Sequence, residues 1–350
     1  TLFRSIGGPS MLRSASKNYK FIPVICDPND YEGVLKELRE NGETCPVTRE
    51  YLAAKVFRHT ASYDAMIASY LTERTGEKYP EKFTITFDKV QDLRYGENPH
   101  QSAAFYKGMN PQYSLANAKQ LHGKELSYNN IQDGNAAIEI LKDFEGQPAA
   151  VGLKHMNPCG VGIGATIEEA WDKAYEADPV SIFGGIVAFN EPIHAAVAEK
   201  LSKIFLEIII APAFDEDAFE ILSKKKNIRL MQLDTTLDVN ARYKVTNVND
   251  GLLVQDIDDH KITAADLRCV TNRKPTEEEI EQLLFAWKVV KHVKSNAIVL
   301  VKDNMTIGVG AGQMNRVGAA KIALEQAGEK AKGSIMSSDA FFPMPDTVEE

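Results

Sequence analysis

A basic pair, Lys154-His155, stands inside residues 151–164, which read VGLKHMNPCGVGIG. Imidazole titrates close to neutrality, so a positioned histidine can take up and return a proton near pH 7. Residues 149–153 have the length and composition of a buried strand. That strand delivers the pair at its carboxyl end, where open α/β sheets place their ligands. Asn157-Pro158 and the glycines at 152, 160, 162 and 164 read as a turn whose backbone can approach a ligand closely. The pair is thus a candidate reaction centre, set against the plainer reading of His155 as a satisfied structural residue.

Other polar groups cluster along the chain. Residues 93–101 (LRYGENPHQ) form a loop in which Arg94, Tyr95, Asn98, His100 and Gln101 suit a phosphate or another polar ligand; the alternative is a solvated connector. Residues 310–313 (GAGQ) follow an expected strand and open a helix that carries Arg316, and such a turn can hold an anion. Residues 154–157 and 294–296 share a Lys/Asn pattern beside glycine turns, which points to a duplicated subdomain. Lys224, Lys225 and Lys226 read as a solvated helix end.

Positioning these groups requires a particular order of elements. A helix over residues 11–17, a strand over 21–26 and a long helix over 48–73 lead to a polar boundary at residues 75–80 (TGEKYP). Residues 83–87 alternate like a strand. Helical spacing follows through Ala136, Ile140, Leu141 and Phe144. Thr166 and Glu169 make a capping box. Then strand and helix alternate: 186–189 extended, 193–205 helical, 207–211 extended, 216–225 helical, 228–233 extended. Residues 234–270 are polar and poorly periodic. Thr276 and Glu279 cap a helix with an apolar face at Ile280, Leu283, Leu284, Trp287 and Val290. Strands at 298–301 and 306–309 complete an α/β pattern.

The chain of 350 residues is long enough for two or three domains, with 44% hydrophobic and 25% charged residues. A net charge of −9 argues against a nucleic-acid partner. Four well-separated cysteines suit a reduced, cytoplasmic setting rather than disulfides or a structural zinc. No apolar run reaches membrane-spanning length. The start at Thr-Leu-Phe-Arg-Ser, without a methionine, reads as a piece of a longer chain. Residues 160–164 give GVGIG rather than a dinucleotide fingerprint. Pro158-Cys159 lacks the second cysteine and the His-x-Glu of a zinc deaminase. No nucleophile elbow or Walker lysine loop is present.

Several stretches in one order carry a resemblance. RYGENPHQ, LSYNNIQDGNAA, KHMNPCG, DPVSIFGGIVAFN, FLEIIIAP, LLFAWKVVKHVKSNAIV, GVGAGQMNR and SDAFFP closely resemble the transformylase part of the bifunctional AICAR transformylase/IMP cyclohydrolase family of purine biosynthesis. IGGPSMLRSASKNY, CDPNDY and KVFRHTASYDAMIASY resemble the end of its cyclohydrolase domain. The resemblance implies an α/β fold: a partial, methylglyoxal-synthase-like cyclohydrolase segment over residues 1–78, then a transformylase domain over 79–350 built of two cytidine-deaminase-like subdomains. It implies an enzyme that moves a formyl group from 10-formyltetrahydrofolate, its co-substrate, to the 5-amino group of AICAR, with cyclisation to IMP in the full-length parent. His155 would be the proton-transfer residue, Lys154 would act on the formyl side, and Asn296 would orient the intermediate. Lys17 matches a cyclohydrolase contact. Arg94 and Tyr95, with Ser181, Phe183, Gly184, Glu207 and Arg316, match nucleotide-pocket positions. Phe341, Pro343 and Asp346 match the folate side. Ser295 and Asp339 match the neighbourhood of a monovalent cation, K+. The family's transformylase sites lie at a homodimer interface, so a homodimer is implied, with small-molecule partners and neither nucleic acid nor membrane.

Two departures stand beside the match. Ser5 occupies the position of a family aspartate in the cyclohydrolase, so the chain as given is expected to lack ring closure. The family's terminal segments on both sides are missing. A competing reading is a truncated, catalytically silent nucleotide-binding fragment, and a third is an α/β scaffold in which His155 is structural.

Overall fold

The computed structural model describes residues 7–350; Ser5 lies outside the described residues. The chain falls into two units, residues 1–88 with 106–109, and residues 89–105 with 110–350. The break comes later than the TGEKYP boundary read from sequence. Residues 83–87, read as a strand, join no ladder, and pairing starts only with β1.

The first unit is helical among its described residues: α1 (Gly7–Ser16), α2 (Tyr31–Asn41) and α3 (Pro46–Thr75). Pro46 opens α3 at a position where its missing N–H costs nothing, and Gly42 and Gly76 close α2 and α3 in the left-handed conformation. Leu52, Ala53 and Val56 of α3 are buried, and Lys55 pairs with Asp27 at 2.6 Å and Asp30 at 2.7 Å. Residues 21–26, expected as a strand, form no ladder among the described residues. An extended segment becomes a strand only where a partner satisfies its backbone.

A two-stranded ribbon follows, β1 (Asp88–Leu93) with β2 (Ala103–Lys107), and then β3 (Lys119–His122). Next come α4 (Tyr128–Lys142), β4 (Ala149–Lys154), β5 (Asn157–Ile163), α5 (Ile167–Ala177), β6 (Ile186–Phe189), α6 (Ala195–Ser202), β7 (Ile208–Ala211), α7 (Glu216–Ser223) and β8 (Arg229–Gln232). A hairpin of β9 (Tyr243–Val248) and β10 (Gly251–Asp256) interrupts the alternation. Then follow α8 (Glu277–Val290), β11 (Ile298–Lys302), β12 (Met305–Gly310), α9 (Arg316–Ala327), β13 (Ile335–Ser338) and α10 (Asp346–Glu349). Nine strands form one sheet in the order β13-β11-β12-β5-β4-β6-β7-β8-β3. β6, β7 and β8 run parallel, and the other pairs are antiparallel. No described helix is long and apolar enough to cross a membrane.

Both faces of the sheet are covered, as the near-continuous apolar strands require. On one face Val151 and Leu153 of β4, Ile186 of β6 and Val299 of β11 pack with Leu141 and Phe144 near α4 and with Phe285 and Val289 of α8. On the other, Ala150, Val187 and Phe189 meet Trp171 of α5, Val197 of α6 and Leu222 of α7. Ile298, Leu300 and Ile307 meet α9. Successive residues thus point to opposite layers, as strand geometry dictates.

The sheet contains a repeat. Helix α4, hairpin β4–β5, helix α5 and strand β6 recur as α8, β11–β12, α9 and β13, and in each copy the first hairpin strand lies between the second and the last. The copies meet at β5 and β12, where Met305 pairs with Gly162 and the Ile163 amide donates to Asn304 O at 3.0 Å. The Lys/Asn echo in the sequence is out of register with this repeat. Residues 294–296 precede β11, whereas Lys154 ends β4 and His155 opens the turn after it, so the structural counterpart of His155-Met156 is Asp303-Asn304.

Glycines 160 and 162, read as a turn, are instead part of β5. They leave room for a helix: a Cβ on Gly160 would fall within the radius of the Ala174 carbonyl oxygen of α5, and one on Gly308 or Gly310 would strike Ala323 or Ala319 of α9. The expected result for Gly160→Ala is a loss of about 3 kcal/mol, the upper range for overpacking, because backbone rather than a pliable side chain must yield. Urea unfolding measures it, and a change below about 0.5 kcal/mol would mean that α5 can move away.

Candidate active site

The β4–β5 hairpin turns on two residues, His155 and Met156, with φ of 52° and 59°. Two-residue hairpins favour this left-handed pairing because it matches the strand twist. Glycine and asparagine adopt it readily; a histidine and a methionine pay roughly 1–2 kcal/mol each. The turn lifts His155 into solvent at the rim of a cavity of about 500 Å³ lined also by Lys154, Asn157, Cys159, Asp178, Ser181, Ala311 and Gln326. The cavity lies along the seam of the two repeats.

Three contacts fix the turn. The Asp133 carboxylate of α4 accepts the His155 amide at 3.3 Å and the Met156 amide at 2.8 Å. Asn157 Nδ2 donates to His155 O at 3.0 Å, while its Oδ1 accepts the Lys294 amide at 3.2 Å. A single side chain therefore links the His155 turn to the segment bearing Asn296. Lys154 Nζ donates to Phe183 O at 2.8 Å, which brings the Ser181–Phe183–Gly184 loop to the pair. Gly184 has φ of 73° and its amide donates to Phe205 O at 2.7 Å.

Residues 310–313 do not form an open anion cradle. Gly312 N donates to Lys294 O at 2.7 Å, Asn296 N to Gln313 O at 3.1 Å, and Asn296 Nδ2 to Gln313 O at 2.8 Å. Helix α9 starts only at Arg316, capped by Asn315, whose Oδ1 accepts from Gly318 N at 2.7 Å. The Gly312 amide and the Gln313 carbonyl are thus spent on residues 294–296.

Arg316 is 8% exposed, and its guanidinium is filled by protein acceptors. It donates to Asn296 Oδ1 at 2.8 Å, Phe341 O at 2.9 Å, Ser338 Oγ at 2.7 Å, and to Asp339 and Ala340 O. The structure therefore places this nucleotide-pocket candidate against Asn296 and the 339–341 segment. Burial works against the Asp339 charge, but Ser295 and Arg316 outweigh it and hold the carboxyl below its usual range. Ser295 and Asp339 do come together, as the resemblance implies for K+. Arg316 already stands against the Asp339 carboxylate as its positive charge.

Phe341 is 74% exposed beside this anchor, Phe342 sits over the Arg316 guanidinium, and Pro343 and Asp346 are exposed just beyond. A second cluster gathers Glu207, whose carboxylate accepts Asn130 Nδ2 at 2.8 Å and faces Arg229 at 3.7 Å. Burial, with the nearby Arg94 charge, pulls the Arg229 guanidinium below its ordinary pKa, against the opposing Glu207. Arg94 and half-buried Tyr95 thus stand within electrostatic reach of Arg229. Lys17 follows α1 in the first unit and is exposed.

Three contributors escaped sequence reading. Asp133 and Asn130 lie in a stretch read as a polar loop and amphipathic helix, although LSYNNIQD places two polar groups on the helix's first turns. Arg229 stands as a lone cation in an apolar strand, a signal that could have singled it out. Cys159 lines the cavity, but burial pushes its thiol up to about 12, so it is a poor nucleophile near neutrality.

A sequence profile of the AICARFT/IMPCHase bienzyme matches residues 15–326. The chain is 63% identical over 345 residues to the bifunctional purine biosynthesis protein PurH of Oceanobacillus iheyensis, covering 98% of this chain and 67% of that protein. The PurH protein of Anoxybacillus flavithermus is 64% identical over 345 residues and that of Bacillus cereus strain AH820 62% over 346. With the profile spanning most of the chain and these relatives spanning nearly all of it, the chain belongs to the AICARFT/IMPCHase bienzyme family of purine biosynthesis.

Proposed function

We propose that the second unit transfers the formyl group of 10-formyltetrahydrofolate to the 5-amino group of AICAR, and that ring closure to IMP is the companion reaction of the bienzyme, with Lys17 on the cyclohydrolase side. The observation that carries this reading is His155 on a left-handed turn at the cavity rim, joined through Asn157 to the segment of Asn296.

The AICAR amine is a weak nucleophile because its lone pair is delocalised into the imidazole carboxamide. As its nitrogen bonds to the formyl carbon, it must lose a proton, and N10 of the folate must gain one as its bond to that carbon breaks. His155 accepts the amine proton. Lys154, held by Phe183 O, supplies positive charge on the formyl side, and the Asn296 amide keeps an N–H for oxygen charge that develops there. Arg94, with Tyr95 and Arg229, holds the phosphate, while Ser181, Phe183, Gly184 and Glu207 border the nucleotide. Phe341, Pro343 and Asp346 form the folate side. Val180, Phe183 and Phe205, 82%, 58% and 49% exposed, leave an apolar patch beside Lys154 that suits a homodimer with the site at its interface. The setting is cytoplasmic.

Arg94→Lys tests the phosphate assignment. Lysine keeps the charge but loses the planar fork that pairs with phosphate. Calorimetry is expected to show a ~10-fold weaker affinity for AICAR, about 1.4 kcal/mol, and little change for its dephosphorylated riboside. Equal losses for both ligands would remove Arg94 from the phosphate.

A further inference from the structure

We propose that Asp133 is a positioning residue for formyl transfer: its carboxylate holds the His155–Met156 turn in the left-handed conformation that presents His155 to the cavity. The inference rests on the proposed role of His155 and adds to it a residue that does not itself touch substrate.

The two repeats supply an internal comparison. Each copy has a capped helix before its hairpin, with Ser127 capping α4 and Thr276 capping α8. In each, the residue six positions past the cap reaches the hairpin turn: Asp133 in the first, Gln282 in the second. In the second repeat the turn is Asp303-Asn304, with φ of 53° and 62°, residue types that visit this region readily. Gln282 accepts the Asn304 amide at 3.0 Å and returns a hydrogen bond to the Asn304 side chain.

The first repeat keeps the turn geometry with residues unsuited to it. Met156, at the position of Asn304, has no side-chain oxygen for a neutral clamp to donate to, and the neutral clamp of the second repeat holds only one turn amide. Asp133 is a charged acceptor with two oxygens, one for each turn amide, at 3.3 and 2.8 Å. Charge-assisted bonds of this kind are stronger than neutral ones. The asymmetry is understandable if the turn's residue types are set by chemistry and the clamp compensates. Without it, the turn can relax to conformations with negative φ, which swing the imidazole away from the cavity rim. A displacement of about 1 Å at a reacting group can cost ~10²-fold in rate.

The test measures formyl transfer in the full chain for Asp133→Ala, the near-isosteric Asp133→Asn, His155→Ala, and the double variant Asp133→Gln/Met156→Asn, which transplants the clamp of the second repeat. The expected result is kcat lowered ~10²-fold in Asp133→Ala and ~10-fold in Asp133→Asn, with the KM for AICAR within about threefold. The transplant is expected to recover turnover to within roughly fivefold of the parent. A structural role alone would not separate kcat from KM, nor respond to the transplant. Full turnover in Asp133→Asn and Asp133→Ala, with His155→Ala impaired, overturns the positioning role and leaves the proposed function standing. Turnover lost in Asp133→Ala and not regained by the transplant also overturns it. Full turnover in His155→Ala overturns the proposed function itself.

Discussion

Replacing His155 by alanine is expected to lower formyl transfer by ~10²–10⁴-fold, the usual range for loss of a general acid or base, while AICAR binding is kept. The size of the effect follows from what else borders the cavity. Cys159 is buried, with its thiol held as the neutral acid by a pKa of about 12. Asp178 accepts the Val180 amide at 3.2 Å, the Ser181 amide at 2.8 Å and Gln326 Nε2 at 2.9 Å, so it is committed to the fold. Lys154 is a cation anchored on Phe183 O. Water in an open cavity can take the proton, but it cannot be positioned as the turn positions the imidazole. Steady-state kinetics with calorimetry for AICAR checks both halves. Unchanged kcat, or a matching collapse of nucleotide affinity, would take proton transfer away from His155.

The second large effect is expected at Arg316. Truncation to alanine strips Asp339 of its cationic partner and leaves Asn296 Oδ1 and the Phe341 and Ala340 carbonyls without the guanidinium, in a site only 8% exposed. Breaking a buried ion pair from one side typically costs about 3–5 kcal/mol. Arg316→Lys is the sharper probe. It keeps one positive charge, enough for Asp339, but a single ammonium cannot span Asn296, Ser338, Asp339, Ala340 and Phe341 as the guanidinium fork does. The lysine variant is therefore expected to fold with a loss of about 2 kcal/mol and to lower kcat ~10-fold or more through a freed Asn296. Urea unfolding paired with turnover reads both. A lysine variant with parental stability and rate would show that the charge alone suffices and that Asn296 is oriented by Gln313 O without help.

Much of this arrangement was legible from residue types. The apolar run at 149–153 announced β4, and the alternation through residue 233 announced an α/β sheet; the Thr276 capping box announced α8, while at α5 only the Thr166 half of the expected box forms, the Glu169 carboxylate accepting the Ala165 amide instead. The failures have physical reasons. GVGIG looked like a turn because glycine usually signals one, yet here the glycines serve close helix–strand packing, a tertiary demand that no local pattern expresses. The true turn, His155-Met156, carries no turn signal at all, since its conformation is imposed by Asp133 from a distant helix. The repeat was misregistered because its signal lies in paired glycines facing a helix and in clamped hairpins, not in shared lysines and asparagines. The β9–β10 ribbon, exposed along most of its length, lacks the one-sided apolar pattern that reveals a strand. The family resemblance gave Asn296 and Arg316 their expected roles; only the geometry shows that one holds the other.

The most direct measurement incubates the purified chain with AICAR and 10-formyltetrahydrofolate and follows tetrahydrofolate and formyl-AICAR together, alongside calorimetric binding of AICAR. The expected result is equal formation of both products, dependent on both substrates and lost in His155→Ala while AICAR still binds. AICAR binding by the parent chain with no formyl transfer would contradict it, and would make this site a nucleotide-binding pocket rather than a transformylase centre.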